Sequence, residues 1–410
     1  MDNNSRTRKE QSPAGDTVSV GLIASPEMAS SIAQAIEPDF PFYLELYVEE
    51  KVSWKIEVLT DAFAGSAEQV SDILEEAETV KQLHDWDYAV CLTDLPFFRE
   101  GNFLVAEVNG ERSIAQLSLP ALGAVPMKRR VREASLQLIS EMYHGSSKEI
   151  RDREQEKVEQ IQRQNQQYIP NKGARDLVRK GWFERIAPIY RVQAEESRSI
   201  SDVRFMARPQ WNGYLRLITG MVQANNPWNI FSTFKSVIAL AFASGAYAMI
   251  FPTLWQLGEA YEWERSLLLM IAAFTALTSW IIISHGLWEN SSKIESLTMV
   301  KLHNTSTILT LGLGVLGYYI VLFFLFLLSV FLFIPVSMLE SSIGVDREVD
   351  LSYYLSLAWL VTSLATCIGA LGAGLENEEA VLKGTYGYRQ RQRKKQAKRE
   401  QEQKENVRNE

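Results

Sequence analysis

Four long apolar stretches in the second half of the chain constrain its fold more than any other feature. They run from Thr233 to Leu254, from Leu267 to Leu287, from Ser306 to Leu339 and from Leu351 to Leu375. A helix of about 20 mainly apolar residues can cross a bilayer, because it satisfies its own backbone hydrogen bonds in the lipid core. The stretches therefore predict an all-α transmembrane domain of four helices over residues 231–376.

The third apolar stretch is long enough to allow a second interpretation. In that alternative, Gly312, Gly314 and Gly317 mark a break, and two short passes replace one tilted helix. Charge decides between the two, because Lys and Arg accumulate in the cytoplasmic flanks of membrane helices. Basic residues precede the first stretch, follow the second and fill the tail, whereas the loops after the first and third stretches are acidic. Four crossings satisfy this alternation, so a single tilted third helix is favoured.

The same charge pattern predicts a multi-pass protein of the cell membrane with both termini in the cytoplasm. No organelle address is visible, so the plasma membrane is the expected location. Residues 1–16 are polar and lack the apolar core of a secretory signal, which predicts a disordered N-terminus. Residues 377–410 are expected to form a basic, charged cytosolic tail.

Tryptophans cluster just outside the predicted spans, where indole rings anchor helices at headgroup depth. The expected interface anchors are Trp211, Trp228, Trp255, Trp263 and Trp288. The segment from Trp211 to Ala224 predicts a short helix with two open placements. It lies either on the inner leaflet or against the preceding domain as an ordinary amphipathic helix.

The interior of the predicted membrane helices is apolar, with no ionisable side chain near a midplane. Pumps and carriers usually keep such groups within the membrane, so this argues against transport. Rows of small residues favour close helix packing and suggest a homo-oligomer formed through small-residue helix faces. The rows are Gly312/Gly314/Gly317 and Gly369/Gly372/Gly374.

The first half of the chain alternates between strand-like and helix-like runs. The runs VSVGLIAS, WKIEVLT and DYAVCLT are typical of buried strands, and PEMASSIAQAIE and SAEQVSDILEEAETVKQLHD of the helices between them. Such alternation predicts a mainly parallel sheet with helices on its faces. The runs FLVAEV and SIAQLSL flank Asn109-Gly110, which indicates a hairpin. The expected unit is a cytosolic α/β domain over residues 17–145, closed by the helix MKRRVREASLQLISEMY.

Residues 146–230 are predicted to be a charged helical linker that ends in the juxtamembrane helix. The run KEIRDREQEKVEQIQRQNQQ carries opposite charges at helical spacing and little apolar content. Both features are typical of a solvated helix that acts as a spacer.

Two aspartates stand at the ends of predicted strands. Asp61 and Asp94 each follow a Leu-Thr pair at the carboxyl end of a strand. Parallel sheets bind ligands at that edge, where two carboxylates side by side can hold a cation, contact a ribose or share a proton. The alternative is that each aspartate caps the turn that follows it. Glu107, at the end of a further strand, is a third candidate ligand-binding carboxylate.

Other catalytic and binding patterns are absent from the sequence. No glycine-rich phosphate loop follows the first strand, and neither a GxSxG elbow nor an HExxH motif occurs. The histidines are too dispersed to indicate a metal site. The formal net charge of -8 gives no reason to expect a nucleic-acid partner, because phosphate backbones favour a basic face. The sequence assigns no cofactor.

Part of the domain resembles the archaemetzincin-type proteases. The run DYAVCLTDLPFFREGNFLVAEVNGERSIAQLSLPALGA, followed by RVREASLQLISEMY, has their order of elements: a strand ending in Thr-Asp, a hairpin, a strand ending in Ser-Leu and an Arg/Glu-rich helix. In that family the helix carries HExxH. The corresponding stretch here, Leu136 to Ser140, has neither the histidines nor the glutamate. The resemblance covers residues 87–143 and implies a scaffold without the zinc site.

The whole layout also resembles a family of bacterial four-helix membrane proteins. Some of these carry a methylenetetrahydrofolate dehydrogenase label, but no motif in this chain supports that chemistry. The resemblance implies a bacterial membrane protein and no particular reaction.

The leading functional hypothesis is a membrane-anchored cytosolic sensing or interaction module without identifiable catalysis. It rests on a compact domain, missing catalytic motifs and uncharged membrane helices. The alternative is a small-molecule- or metal-binding enzyme domain that uses Asp61 and Asp94 at the sheet edge. A channel or transporter is the third and least favoured class. The lipid bilayer is the partner that the sequence predicts directly.

Overall fold

The computed structural model describes two compact units. One comprises Met1–Gly220 together with Arg393–Glu410, and the other Met221–Gln392. The described residues are 17–67, 69–99, 101–124, 126–164, 172–193, 202–225, 227, 234–289, 297–343, 350–373, 392, 395 and 399. The predicted disordered segment 1–16 and nearly all of the predicted tail lie outside this set.

The first unit is an α/β domain built on one mixed sheet. Its strands are β1 (Thr17–Ala24), β2 (Ser53–Thr60), β3 (Tyr88–Thr93), β4 (Phe97–Arg99), β5 (Asn102–Asn109), β6 (Ile114–Ser118), β7 (Ile189–Gln193) and β8 (Val203–Ala207). Its helices are α1 (Met28–Ile36), α2 (Phe40–Tyr47), α3 (Val70–Leu83), α4 (Met127–His144), α5 (Lys148–Gln164) and α6 (Trp182–Ile186). Helix α7 (Gln210–Asn225) begins in this unit, and its last residues belong to the other.

Within the described residues the sheet has eight strands, in the order β2-β1-β3-β6-β5-β8-β7 with β4 paired to β5 beside that path. The pairs β1·β2, β1·β3 and β3·β6 are parallel. The other pairs, β4·β5, β5·β6, β5·β8 and β7·β8, are antiparallel. The predicted hairpin is present as β5 and β6, with Asn109 opposite Ile114.

The prediction of a mainly parallel sheet confined to residues 17–145 needs correction. The segment predicted to be a linker contributes β7 and β8, and β8 pairs along β5. The sequence pattern does not predict β8, because the charged side chain of Arg204 interrupts an otherwise apolar run of five residues. Arg204 is compatible with burial because its Nε donates to Glu107 Oε1 across the sheet at 3.0 Å.

One close approach fixes the packing at the end of α3. A Cβ atom on Gly21 of β1 would lie 1.8 Å from the ring of Trp86, so the indole lies directly on the strand backbone. Trp86 Nε1 donates to Glu57 Oε2 on β2 at 2.9 Å, which holds the ring across two strands. Glycine is required at this position by the close approach of the ring.

The second unit is helical. Its helices are α8 (Lys235–Ala248), α9 (Pro252–Ala260), α10 (Trp263–Ser284), α11 (Leu297–Phe333), α12 (Val336–Ile343) and α13 (Leu351–Ala373). Among the described residues, three helices are long and apolar enough to cross a membrane: Trp263–Ser284, Thr298–Phe333 and Leu351–Leu371. Counting the bent pair α8–α9 as one span raises the number to four.

The first predicted span is not one straight helix. Helices α8 and α9 meet at a bend of 95°, and α8 with 14 residues is about 21 Å long, shorter than the hydrocarbon core of about 30 Å. The break precedes Pro252, the first residue of α9. Proline has no N–H to donate and disfavours helical geometry in the residue before it, so the helix ends there.

Helix α11 is continuous through Gly312, Gly314 and Gly317, so the interpretation with two short passes is wrong. With 37 residues it is about 55 Å long, which exceeds the thickness of a hydrocarbon core. It ends before Pro335, again where a proline removes a donor.

Helix α13 packs against α8, α9, α10 and α11. Its Gly369 allows a close approach, because an added Cβ would lie 2.6 Å from the hydroxyl oxygen of Tyr318 on α11. The hydroxyls of Tyr319 and Ser363 also share a hydrogen bond of 2.8 Å between the same two helices. Buried apolar side chains from all of these helices form one continuous core.

Candidate functional site

The structure places Asp61 as a cap at the carboxyl end of β2. Its Oδ1 accepts a hydrogen bond of 2.7 Å from the backbone N of Phe63, which opens a short 3₁₀ turn. Its own backbone N donates to the carbonyl oxygen of Ala24 at 2.9 Å. The side chain therefore has the capping role that was the alternative to ligand binding.

Asp94 is buried at the same edge of the sheet, but it is not beside Asp61. Strand β1 lies between the two strands that these aspartates follow. Two strand spacings of about 4.8 Å therefore separate the ends of β2 and β3. The hydroxyl of Ser25, just after β1, donates to Asp94 Oδ1 at 3.2 Å. The structure thus brings Asp94 together with Ser25 rather than with Asp61.

Glu107 does not join the aspartates. Strand β5 runs antiparallel to β6, so its carboxyl end lies at the opposite edge of the sheet. Glu107 pairs in register with Gln116 and bonds to Arg204, both buried. The prediction of a third carboxylate at the ligand edge fails because the hairpin reverses the direction of β5. In the described part of the chain, no group of three or more His, Cys, Asp or Glu side chains is placed to hold a metal ion.

The tryptophans predicted as anchors have different environments. Trp211, Trp263 and Trp288 are exposed, whereas Trp228 lies outside the described residues. Trp255 is buried in the helical core, and its Nε1 donates to the carbonyl oxygen of Met249 at 2.9 Å. The hydrogen bond from Trp255 therefore stabilises the bend between α8 and α9. Trp255 does not have the exposed position expected of an interface anchor.

A buried polar ladder on α4 is the most elaborate polar feature of the first unit. It consists of Arg130, Glu133, Gln137 and Glu141, which are all buried. Their spacing of three, four and four residues places them on one side of the helix. Burying ionised groups is costly unless each is paired and hydrogen-bonded, so their partners are decisive.

Glu141 is the best-paired member of the ladder. Arg191 on β7 donates from Nε to Oε1 at 2.9 Å and from Nη2 to Oε2 at 2.8 Å. Arg151 on α5 is fully buried, with its Nε 3.9 Å from Oε2. Arg151 also donates to Ser140 Oγ and to the Ser140 carbonyl oxygen, each at 3.0 Å. Burial lowers the pKa of Arg151, and the neighbouring Glu141 opposes that shift.

The other end of the ladder is bound to α6 and to the segment before it. Arg179 donates to both carboxylate oxygens of Glu133, from Nε at 2.6 Å and from its backbone N at 2.9 Å. Arg130 donates from Nη2 to Glu184 Oε1 at 2.7 Å and from Nη1 to the carbonyl oxygen of Leu122 at 2.6 Å. The ladder thus fastens α5, α6 and β7 to the sheet domain.

Lys172 lies at the centre of the ladder. Its Nζ donates to Gln137 Oε1 at 2.9 Å, and Gln137 Nε2 donates to the carbonyl oxygen of Ala174 at 2.6 Å. Burial lowers the pKa of Lys172 to about 8, although nearby Glu133, Asp176 and Glu141 oppose the shift. An amine with such a pKa changes charge close to physiological pH, which is unusual for lysine.

An open cleft of about 830 Å³ lies beside Lys172. It is lined by Asp152, Gln155, Glu159, Lys172, Gly173, Arg175, Asp176, Leu177, Val178, Lys180, Glu184, Arg185, Pro188 and Ile189. A volume of this size lies within the range of small-molecule sites, about 300–1,000 Å³. A second cavity of about 20 Å³ shares Lys172 and Gly173 and reaches Gln137 and Tyr47. We call the larger cavity the Lys172 cleft.

The wall of the Lys172 cleft carries both charges. Its cations are Lys172, Arg175, Lys180 and Arg185, and its carboxylates are Asp152, Asp176, Glu159 and Glu184. Arg175 pairs with Asp152 at 2.5 Å, and Lys180 with Asp176 at 3.1 Å. The wall is therefore already organised into ion pairs, whose groups a polar ligand can contact without large movements.

Sequence reasoning missed this site because its charged residues lie in the segment interpreted as a solvated linker. A sequence with charged residues at helical spacing does not show whether those residues face water or a buried residue of opposite charge. One available signal was the pair of short strand-like runs IYRVQ and VRFMA, which require the intervening chain to return to the sheet.

Comparison with known proteins gives no further guide, because no family model, curated protein or solved structure matches this chain.

Proposed function

We propose that the protein is a membrane-anchored sensing module whose α/β domain binds a small polar molecule in the Lys172 cleft. The observation that carries the proposal is the juxtaposition of an open cleft of about 830 Å³ with a buried lysine of lowered pKa. Perturbed groups at the wall of a cleft are typical of binding and catalytic sites.

The balance of charge on the wall favours a ligand that carries both signs. A purely anionic ligand would meet Asp176 and Glu184, and a purely cationic one would meet Arg175 and Lys172. A zwitterion, such as a free amino acid or a short peptide, has a partner for each of its charges. Small size and polarity also match a cleft lined mostly by charged and amide side chains.

Binding is favoured over catalysis by the state of the lining groups. Lys172 donates to Gln137, Arg175 pairs with Asp152, and Glu184 pairs with Arg130. These groups hold the domain together, so a ligand that contacts them redistributes their ion pairs. Binding in the cleft can therefore change the structure of the domain. This organisation supports a sensor more than a proton-transfer centre.

A second candidate is the small-molecule- or metal-binding enzyme domain at the carboxyl edge of the sheet. The observation in its favour is that Asp94 is almost fully buried and hydrogen-bonded to Ser25 at the end of β1. Sites of α/β proteins commonly lie at that edge. Asp61 is the weaker member, because its carboxylate caps the following turn.

For the membrane part we propose four crossings, with the bent pair α8–α9 counted as the first. An even number of crossings puts the N-terminal domain and the basic tail on the same side, the cytoplasmic side of the plasma membrane. The proposed partners are the lipid bilayer and a second copy of the chain, which would pack against the open face at Gly312.

The test is ligand-induced thermal stabilisation of the full chain in detergent. Amino acids, short peptides, nucleotides, folates and divalent metals are screened, because a ligand that binds only the folded state raises its unfolding midpoint. Variants Lys172→Met and Arg175→Ala address the cleft, and Arg153→Ala is the matched control because Arg153 is an exposed arginine of α5 that does not line it.

The expected result is stabilisation by a zwitterion that is lost in Lys172→Met and Arg175→Ala and kept in Arg153→Ala. Stabilisation that is lost only in Asp94→Asn would indicate that the ligand binds at the carboxyl edge of the sheet. The sensing proposal would be abandoned if no compound in the screen shifted the unfolding midpoint.

A further inference from the structure

Two neighbouring helices of the first unit expose large apolar side chains. On α6, Trp182 is 76% exposed and Ile186 43% exposed. On α7, Trp211 is 61% exposed and Leu215 40% exposed. Each pair is spaced by four residues, so both of its members lie on the same side of their helix. We call these four side chains the docking face.

The opposite sides of the two helices are packed together. Asn212 of α7 donates from Nδ2 to the carbonyl oxygen of Pro188 at 3.1 Å, just after α6. Arg216 donates from Nε to the carbonyl oxygen of Ala187 at 2.7 Å, and its guanidinium lies 4.9 Å from the ring centroid of Phe183. Asn212 and Arg216 of α7 are therefore turned inward, together with Leu217 and Met221, whereas Trp211 and Leu215 are turned outward.

A helix on a domain surface normally buries its large apolar side chains, as α7 does with Leu217 and Met221. The four side chains of the docking face depart from that pattern. Neighbouring exposed apolar side chains mark a binding surface more often than isolated ones do. The composition of the docking face, two tryptophans with two aliphatic side chains, is characteristic of helices that lie in the headgroup region of a bilayer.

Charge around the docking face supports the same partner. Lys180 stands two residues before α6, Arg185 lies on α6, and Arg208 stands two residues before α7. All three are exposed. Basic side chains near a surface of this kind attract the anionic lipids of the cytoplasmic leaflet.

The path of the chain adds a third argument. Helix α7 ends at Asn225, and α8 begins ten residues later at Lys235. The residues that follow the docking face are therefore tethered to the apolar helices of the second unit. Such a tether raises the effective concentration of this surface at a membrane.

We propose that the docking face inserts into the headgroup region of an anionic bilayer and holds the sheet domain against the membrane surface. The inference rests on the proposed membrane location of the chain. Lys180 and Arg185 also line the Lys172 cleft, but none of the four side chains of the docking face does.

The experiment uses the full chain reconstituted in lipid vesicles. Spin labels are attached at Ile186→Cys and Leu215→Cys in a Cys367→Ala background. Cys91 stays unlabelled because it is buried, and burial raises the pKa of its thiol. Ser53→Cys is the matched control, because Ser53 is exposed on β2, which forms the opposite edge of the sheet from β7.

Collision with oxygen, which partitions into lipid, is compared with collision with a water-soluble nickel chelate. The expected result is a higher oxygen-to-nickel ratio at positions 186 and 215 than at position 53. The difference should be larger in vesicles with phosphatidylglycerol than in pure phosphatidylcholine, and Lys180→Gln with Arg185→Gln should reduce it.

Nickel access at 186 and 215 equal to that at 53 would overturn the inference, because the docking face would then be in water. Shielding from both reagents would also overturn it, because protein would then cover the face, either a second copy or another segment of this chain. Flotation of the vesicles on a density gradient tests separately whether the chain is in the membrane. A ligand screen without a hit would leave the labelling result unchanged.

Discussion

Arg191 on β7 holds Glu141 on α4 through two parallel hydrogen bonds, from Nε to Oε1 at 2.9 Å and from Nη2 to Oε2 at 2.8 Å. Glu141 is 1% exposed, so this pair secures a buried charge and also ties the far edge of the sheet to α4. A bidentate pair of this geometry is specific to arginine, because lysine offers only a point charge.

Arg191→Ala should destabilise the first unit by about 3 kcal/mol, because it leaves a buried carboxylate with an incomplete set of partners. Arg191→Lys should recover only part of the loss. The measurement is the thermal unfolding midpoint of the full chain in detergent, with Arg153→Ala as the control. A midpoint for Arg191→Ala equal to that of the control would show that Arg151 and Gln137 are sufficient partners for Glu141.

A fragment that ends at Gly145 should not fold stably, whereas a fragment from Thr17 to Gly220 should. The shorter fragment lacks β7 and β8, so it exposes the edge of β5 where Phe103 pairs with Ala207. An exposed apolar edge strand favours aggregation. Cooperative urea unfolding of purified fragments is the measurement. Equal cooperativity in the two fragments would mean that β8 is dispensable for the fold.

The lowered pKa of Lys172 predicts a specific pH dependence of stability. Between the folded pKa of about 8 and the ordinary value of 10.5, the unfolded state binds more protons than the folded state. Stability should therefore rise as pH increases from about 8 to 10, because the folded chain no longer holds a buried charge. This rise amounts to up to about 3 kcal/mol of unfolding free energy, and Lys172→Met should lack it.

The measurement is the difference between the unfolding midpoints of the wild type and Lys172→Met at several pH values, which cancels the titration of other groups. A constant difference from pH 7 to 10 would contradict the assignment of the lowered pKa to Lys172.

The same substitution should destabilise the protein at one glycine of the membrane helices and have almost no effect at another. At Gly369 an added Cβ would lie 2.6 Å from the Tyr318 hydroxyl oxygen, whereas at Gly312 nothing lies within 4 Å. Gly369→Ala should therefore destabilise the helical unit by about 1–3 kcal/mol through overpacking. Gly312→Ala should leave unfolding nearly unchanged, as followed by thermal unfolding in detergent.

The bulkier change Gly312→Leu tests the proposed homo-oligomer, because it fills the open face without disturbing the chain's own packing. Loss of a dimer on size-exclusion chromatography, with an unchanged unfolding midpoint, is the expected outcome. An unchanged elution volume would remove this face from consideration as a contact between copies.

The proposed four crossings predict the side of the membrane for three exposed positions. Cysteines introduced at Glu262 and Ser341 should react with a membrane-impermeant maleimide in intact cells, whereas one at Lys301 should react only after lysis. Cys367→Ala serves as the background. If position 301 were labelled in intact cells and positions 262 and 341 were protected, the bent pair α8–α9 would not cross, and three crossings would replace four.

The sequence by itself determined the division into an α/β half and a helical half, because each is encoded locally. Period-two and period-3.6 patterns specify strands such as β1 and β3 and helices such as α3, and continuous apolar runs specify α10, α11 and α13. The charges on the two flanks of α11 also indicated that it is one helix, because they argued against an extra pass.

The tertiary structure alone decided how the domain is completed and where its polar groups meet. Glu107 and Arg204 are 97 residues apart in the chain, and Glu141 and Arg191 are 50 apart. No local pattern distinguishes a charge that faces water from one that faces a buried partner. Strand order likewise placed β1 between Asp61 and Asp94, because pairing depends on packing across the whole sheet. The Lys172 cleft arises in the same way, from contacts that exist only once α4, α5 and β7 have assembled.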